Sequence, residues 1–223
     1  MGSKLKLVIF DVDGVLTSVR NSWGFVHEVL GVSNKAKENF KLFLENKISY
    51  AKWMELDTRL WIEARGGRLH KSELLEVFSH IEIDSAARPV FDWLKKKNLK
   101  TALVSGGVDL WVERVAQVVE ADYWLANKLS FDKEGYLVPG GIPIVGVWKD
   151  DAVKRIASHL NVSLSETMFI GDSIWDAPAM RIVGYPVGYG LKAREELKGI
   201  ARYFINSLSE LPNLIEAIEL EAV

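Results

Sequence analysis

The 223-residue chain contains no cysteine. Disulfides, thiolate nucleophiles and thiolate metal sites are therefore excluded. It also lacks an excess of either charge: the formal net charge of -2 gives no electrostatic case for nucleic acid or for an anionic membrane. No apolar stretch approaches the length of a membrane span. Internal repeats and low-complexity segments are missing as well. Met1-Gly2-Ser3-Lys4-Leu5-Lys6 runs straight into the first apolar segment, leaving no room for a signal peptide, and Lys6 breaks a myristoylation pattern. The expectation is a cytoplasmic, soluble protein with neither nucleic-acid nor membrane partners. Nothing in the composition speaks to oligomeric state.

What is present suits an ordinary core and surface, with 48% hydrophobic and 26% charged residues. The first feature is Leu7-Val8-Ile9-Phe10-Asp11-Val12-Asp13-Gly14-Val15-Leu16-Thr17. An apolar run of this kind reads as a strand buried on both faces of a parallel sheet. On an extended chain Asp11 and Asp13 point the same way. Two converging carboxylates repel each other, which suits a divalent cation between them. Gly14 lets the chain turn sharply away.

Residues 17–30 read as a loop or flap. Ser33 is a plausible N-cap for a helix over about 34–46, with Phe40, Phe43 and Leu44 on one face. Ser49 caps a second helix, whose apolar positions are Trp53, Leu56, Leu60 and Trp61, and Gly66-Gly67 ends it. A third, short helix spans Ser72 to Phe78. Trp53 and Trp61 read as the core of this helical insertion. From residue 84 helices and strands alternate. A helix ends in Lys95-Lys96-Lys97-Asn98, and the strand Thr101-Ala102-Leu103-Val104 breaks at Ser105-Gly106-Gly107. A helix with Val108, Trp111, Val112, Val115 and Val119 as its buried stripe comes next. Then come a short strand from Asp122 to Leu125, a hairpin turn over 132–135, a helix at 150–160 and the strand Thr167-Met168-Phe169-Ile170. Short strands at 185–187 and 203–205 and an amphipathic stretch from Leu208 to Leu220 close the chain. Such alternation argues for a parallel sheet covered on both faces.

Three later features fit the first. Ser105-Gly106 offers a hydroxyl and glycine-freed amides where a strand meets a helix, which suits a phosphate oxygen. Lys149 precedes a helix and can neutralise a phosphoryl group. Gly171-Asp172-Ser173-Ile174-Trp175-Asp176 delivers a carboxylate at a strand end with a second four residues on, on one face if the turn is helical.

In this order the motifs resemble those of the haloacid dehalogenase superfamily of phosphohydrolases, over roughly residues 4–16 and 84–206. Within it the core looks most like phosphoserine phosphatase, through Val104-Ser105-Gly106-Gly107-Val108-Asp109 and the later hairpin. The resemblance implies an α/β fold: a Rossmann-like parallel-sheet core from residues 1–16 and 84–223, with a helical cap, residues 17–83, inserted after the first motif. It also implies an Mg2+-dependent phosphatase acting on a small phosphorylated metabolite through an aspartyl-phosphate. Asp11 would be the nucleophile and Asp13 the general acid and then base. The Asp11 carboxylate, the Asp13 backbone carbonyl and Asp172 would hold Mg2+, and Asp176 would support that shell or orient Lys149. Ser105, the Gly106 amide and Lys149 would hold the phosphoryl oxygens. The alternatives are a phosphotransferase or phosphomutase on the same chemistry, or a non-catalytic binding module. Phosphoserine phosphatases carry a glutamate shortly after the first motif and an arginine in the cap. This chain has Arg20 and Asp57 there, with Arg59 and Arg65 nearby. Arg20, Trp23 and Trp175 are the substrate-facing candidates, Trp175 standing where small polar residues are common in the family.

Overall fold

The computed structural model describes residues 4–221. Its backbone is a seven-stranded sheet. Strand β1 (Leu7–Phe10) is central, and every one of its residues is buried. Four elements follow before the next strand turn: α1 (Ser22–Val29), α2 (Ser33–Leu44), α3 (Tyr50–Ala64) and α4 (Lys71–Ser79). Helix α5 (Ala87–Lys96) then leads into β2 (Lys100–Val108), α6 (Asp109–Val119), β3 (Tyr123–Phe131) and β4 (Leu137–Ile142). The remainder is α7 (Asp150–His159), β5 (Thr167–Gly171), α8 (Ala177–Met180), β6 (Tyr185–Tyr189), α9 (Gly190–Glu196), β7 (Tyr203–Ile205) and α10 (Leu211–Glu221). The strand order is β4-β3-β2-β1-β5-β6-β7, with β4 antiparallel to β3 and all other pairs parallel. This is the expected α/β architecture. No helix among the described residues is long and apolar enough to cross a membrane.

Two apolar layers hold the sheet. Leu7 and Ile9 face Val153, Ile156 and Phe169 on one side, while Val8 and Phe10 face Phe91, Trp111 and Val112 on the other. The alternation along β1 is the two-residue period of a strand packed on both faces. Register then places the site. Phe10 pairs with Leu103 on one side and with Ile170 on the other, so Asp11, Ser105 and Asp172 leave the sheet at one edge. That is the carboxyl edge, where open α/β sheets bind ligands.

Several local expectations need correction. Residues 17–30 are not simply a loop, because α1 forms there, capped by the Asn21 side chain accepting from the Gly24 amide. Ser33 is not a cap: it is the first residue of α2, behind Val32, which offers no side-chain hydrogen bond. Leu44 lies exposed, since only Ala36 of α2 is fully buried. Ser49 does cap α3, accepting from the Lys52 amide. The buried face of α3 is Met54, Asp57, Thr58 and Trp61, one position round from the expected stripe, so Trp53 is only half-buried. Strand β2 runs through Ser105-Gly106-Gly107 to Val108 instead of breaking there, with a register shift against β3 after Val104.

Candidate active site

Asp11 and Asp13 leave β1 in the expected direction and are 5% and 8% exposed. Asp11 Oδ1 accepts from the Val12 amide at 2.7 Å, and its Oδ2 lies 2.7 Å from Lys149 Nζ. The other contact of Lys149 is Asp176 Oδ1, at 2.6 Å. One buried ammonium thus bridges two carboxylates. Asp176 Oδ2 accepts from the amides of Asp172 and Ser173 at 3.0 and 3.2 Å, closing the Gly171–Asp176 turn on itself. Asp176 therefore both orients Lys149 and fixes the loop that carries Asp172.

Asp13 is held differently. Its Oδ2 accepts from the Ser22 amide at 2.7 Å, at the start of α1, and its Oδ1 from the Trp111 indole at 3.1 Å. Neither bond could be read from the sequence, where Trp111 is simply one member of a buried stripe. Gly14 adopts φ +80°, and a Cβ there would lie 2.5 Å from Asp172 Oδ2. Glycine here satisfies both the turn and the approach of that carboxylate.

Burial dominates the electrostatics. It pushes the Asp11 carboxyl well up, against the pull of Lys149, and the charges of Asp176 and Asp172 push the same way. Asp13 is also raised by burial, opposed by its hydrogen bonds from Ser22 and Trp111. Asp172 is pushed up to about 6, by burial first and Asp176 second. Burial acts against the Lys149 ammonium, yet Asp11 and Asp176 outweigh it and hold the group above its ordinary value. Asp11, Asp172 and Asp176 each offer an oxygen within 4.8 Å of the others. An all-carboxylate set this close suits a hard divalent cation, and the missing Cβ at Gly14 makes room for Asp172 to join it. The Asp13 side chain is turned away to Ser22 and Trp111, leaving only its backbone carbonyl as a candidate ligand.

Ser105 is buried, and its Oγ accepts from the Gly107 amide at 2.9 Å. The Gly106 carbonyl gathers donors from three elements: Trp23 Nε1 at 3.2 Å, Asn127 Nδ2 at 2.8 Å and the Tyr50 hydroxyl at 3.5 Å. Asn127 has no exposed surface and uses its whole amide. Nδ2 donates to Tyr50 as well as to Gly106, while Oδ1 accepts from the Val145 and Gly146 amides at 3.0 and 2.9 Å. It ties the Ser105-Gly106 turn to the loop leading into Lys149. The sequence reading passed over Asn127, since an asparagine early in a strand carries no local signal of such a role.

These groups share a cavity of about 500 Å³, and Arg20, Trp23, Asp57 and Trp175 line it too. Its roof comes from one stripe of each of three helices: Trp23 and His27 of α1, Ala36 and Phe40 of α2, and Tyr50, Trp53 and Asp57 of α3. Trp53, expected in the core, lines this cavity, and its Nε1 has no hydrogen-bond partner. Arg20 is exposed at the mouth, Trp23 is spent on Gly106, and Trp175 leans on exposed Trp148 with ring centroids 5.5 Å apart.

A family model described as haloacid dehalogenase-like hydrolase matches residues 5–184. The chain belongs to that family. It is accordingly a hydrolase, and its curated relatives make it phosphoserine phosphatase-like. The phosphoserine phosphatase of Idiomarina loihiensis is 28% identical over 218 residues, covering 95% of this chain and 91% of that enzyme. That of Lactococcus lactis is 29% identical over 146 residues, covering 65% of this chain and 64% of the relative. The Methanocaldococcus jannaschii enzyme is 24% identical, covering 86% and 89%. A solved phosphoserine phosphatase with a phospho-aspartyl intermediate analogue superposes with a TM-score of 0.75 at 23% identity, covering 95% of this chain and 99% of that one. An apo-form phosphoserine phosphatase gives 0.77 at 21%, covering 94% and 98%. These structural likenesses speak for the fold.

Proposed function

We propose that this protein is an Mg2+-dependent phosphatase that hydrolyses a small phosphomonoester through an aspartyl-phosphate on Asp11. The observation that carries the reading is Lys149, buried between Asp11 and Asp176 at 2.7 and 2.6 Å, with Asp13 facing the same cavity. A lysine so placed holds Asp11 in one orientation and meets the incoming phosphoryl charge. Asp11 Oδ attacks phosphorus as the ester oxygen leaves. Asp13, kept protonated by burial, gives its proton to that oxygen and then takes one from the water that cleaves the acyl phosphate. Ser105 and the Gly106 amide hold the equatorial oxygens. Asp11, the Asp13 carbonyl and Asp172 would hold Mg2+, which neutralises phosphoryl charge when bound. In this reading residues 17–83 serve as a cap, excluding bulk water and lining the leaving-group space. The relatives named above support the reaction class.

The test is phosphate release from a panel of phosphomonoesters, with Mg2+ and with chelator, for wild type and Asp11→Asn. Turnover that needs both Mg2+ and Asp11 is expected. A folded protein that releases nothing from any ester would overturn the proposal.

A further inference from the structure

A buried carboxylate stands in the cavity roof with no cation to balance it. Asp57 is 1% exposed; its Oδ1 accepts from Asn39 Nδ2 at 2.8 Å, and its Oδ2 lies 3.2 Å from His27 Nε2. The second contact would be a true ion pair only if the imidazole were doubly protonated. His27 Nδ1, however, accepts from the Trp61 indole at 2.8 Å. An indole N–H can only donate, so Nδ1 carries a lone pair and the ring is the neutral Nε2–H tautomer. Turning the ring over would set carbons against both partners, so the contacts fix the orientation as well. Among the described residues no lysine or arginine pairs with Asp57. Its negative charge is felt by Tyr50, whose phenol is pushed up by burial first and by Asp57 second.

The surroundings keep that charge strong. Tyr50, Trp53 and Phe40 line the cavity beside it, and charges act over longer range where water is scarce. Arg20, Glu28 and Lys37 also line the cavity, but all three side chains are exposed and screened by solvent.

We propose that Asp57 sets the charge selectivity for the leaving group: the cavity takes phosphomonoesters whose alcohol carries a protonated amine and discriminates against those carrying a carboxylate. The inference rests on the phosphatase reading for its substrate class. An ammonium in the cavity gains the field of Asp57 and the faces of the neighbouring aromatics. A carboxylate there meets a buried like charge, which is a repulsive element of the kind that creates specificity. Phosphoserine bears both groups and differs from phosphoethanolamine only by its carboxylate, so the two form a matched pair. Propyl phosphate supplies the uncharged counterpart of phosphoethanolamine.

The experiment measures binding, which needs no turnover: calorimetric titration of these three esters into Asp11→Asn with Mg2+. Phosphoethanolamine is expected to bind roughly 10- to 100-fold tighter than propyl phosphate, the span of one charge-assisted contact, and well ahead of phosphoserine. Adding Asp57→Asn is expected to collapse both gaps to within about threefold, with thermal melting confirming a folded protein. Phosphoserine or propyl phosphate binding as tightly as phosphoethanolamine to the protein that keeps Asp57 would overturn the proposal, whether or not the second variant folds. Gaps that persist in folded Asp57→Asn would overturn it too. The phosphatase reading is judged separately: no phosphate release by wild type, with the affinity ranking intact, removes the reaction and leaves the selectivity standing.

Discussion

Lys149→Met tests the electrostatic frame of the site most directly. Methionine keeps most of the apolar stem and removes only the ammonium. The wild-type nitrogen sits 2.7 Å from Asp11 and 2.6 Å from Asp176, both buried, with Asp172 in the same cluster. Without it, carboxylates within 4.8 Å of one another face a desolvated volume with no cation. Breaking a buried ion pair by deleting one partner costs about 3–5 kcal/mol. For a chain of this size each kcal/mol shifts Tm by about 2–4 °C, so a fall of roughly 6–20 °C is expected in chelator at neutral pH. Two treatments should restore it. Mg2+ binds the native cluster and not the unfolded chain, which stabilises by mass action. Acid works through linkage: burial already raises the Asp11 carboxyl, and loss of Lys149 raises it further. The native variant then binds more protons than the unfolded chain, so its deficit against wild type shrinks as pH falls. Thermal melts in chelator and in Mg2+, across pH, read all three effects. A drop below about 2 °C, less than one kcal/mol for such a chain, would refute the reasoning, as would a larger drop that neither Mg2+ nor acid reverses.

Two other substitutions probe the same frame. Gly14→Ala forces a side chain into φ +80° and to within 2.5 Å of Asp172 Oδ2. It is expected to cost about 1–2 kcal/mol from the backbone alone and to weaken Mg2+ activation by displacing Asp172, read as a raised half-activating Mg2+ concentration. Asn127→Leu removes an amide whose four hydrogen bonds join the Gly106 turn, Tyr50 and the loop before Lys149. The loss is expected to exceed about 3 kcal/mol, because buried partners are left unsatisfied, and the Ki for inorganic phosphate should rise in whatever protein remains folded. An unchanged Ki would mean that Asn127 holds the fold without shaping the phosphate site.

The carboxylates were legible in the sequence because their positions follow from local rules. A run such as Leu7–Phe10 can only be a buried strand in a parallel sheet, and whatever follows it stands at the sheet edge. Asp11, Asp172 and Ser105 meet for that reason. Ser49 could be recognised as a cap by the same kind of short-range logic, whereas Ser33 could not, because the chain enters α2 one residue earlier through Val32. Helix α1 escaped because it has only eight residues and buries Ser22 and His27 beside Trp23 and Val26, which blurs its apolar period. The supporting groups were illegible for a different reason. Trp111 reaches Asp13 across 98 positions and Asn127 reaches Tyr50 across 77. Long-range hydrogen bonds leave no periodicity behind, and a buried polar residue looks the same in sequence as an exposed one.

The join between α3 and β4 has a mechanical consequence. Thr58 Oγ1 accepts from the Gly140 amide at 2.7 Å, and a Cβ on Gly141 would lie 2.8 Å from Met54 Cε, so helix and strand touch backbone to side chain with no slack. The piece of chain inserted after the first motif and the piece that can move as a unit are therefore different. Helix α3 is fastened to the β3–β4 hairpin, which arrives almost eighty residues later, and the two must travel together or not at all. Any swinging part of the roof would be confined to α1 and α2, which carry Trp23, His27 and Phe40, while Tyr50, Trp53 and Asp57 stay with the sheet as a fixed wall.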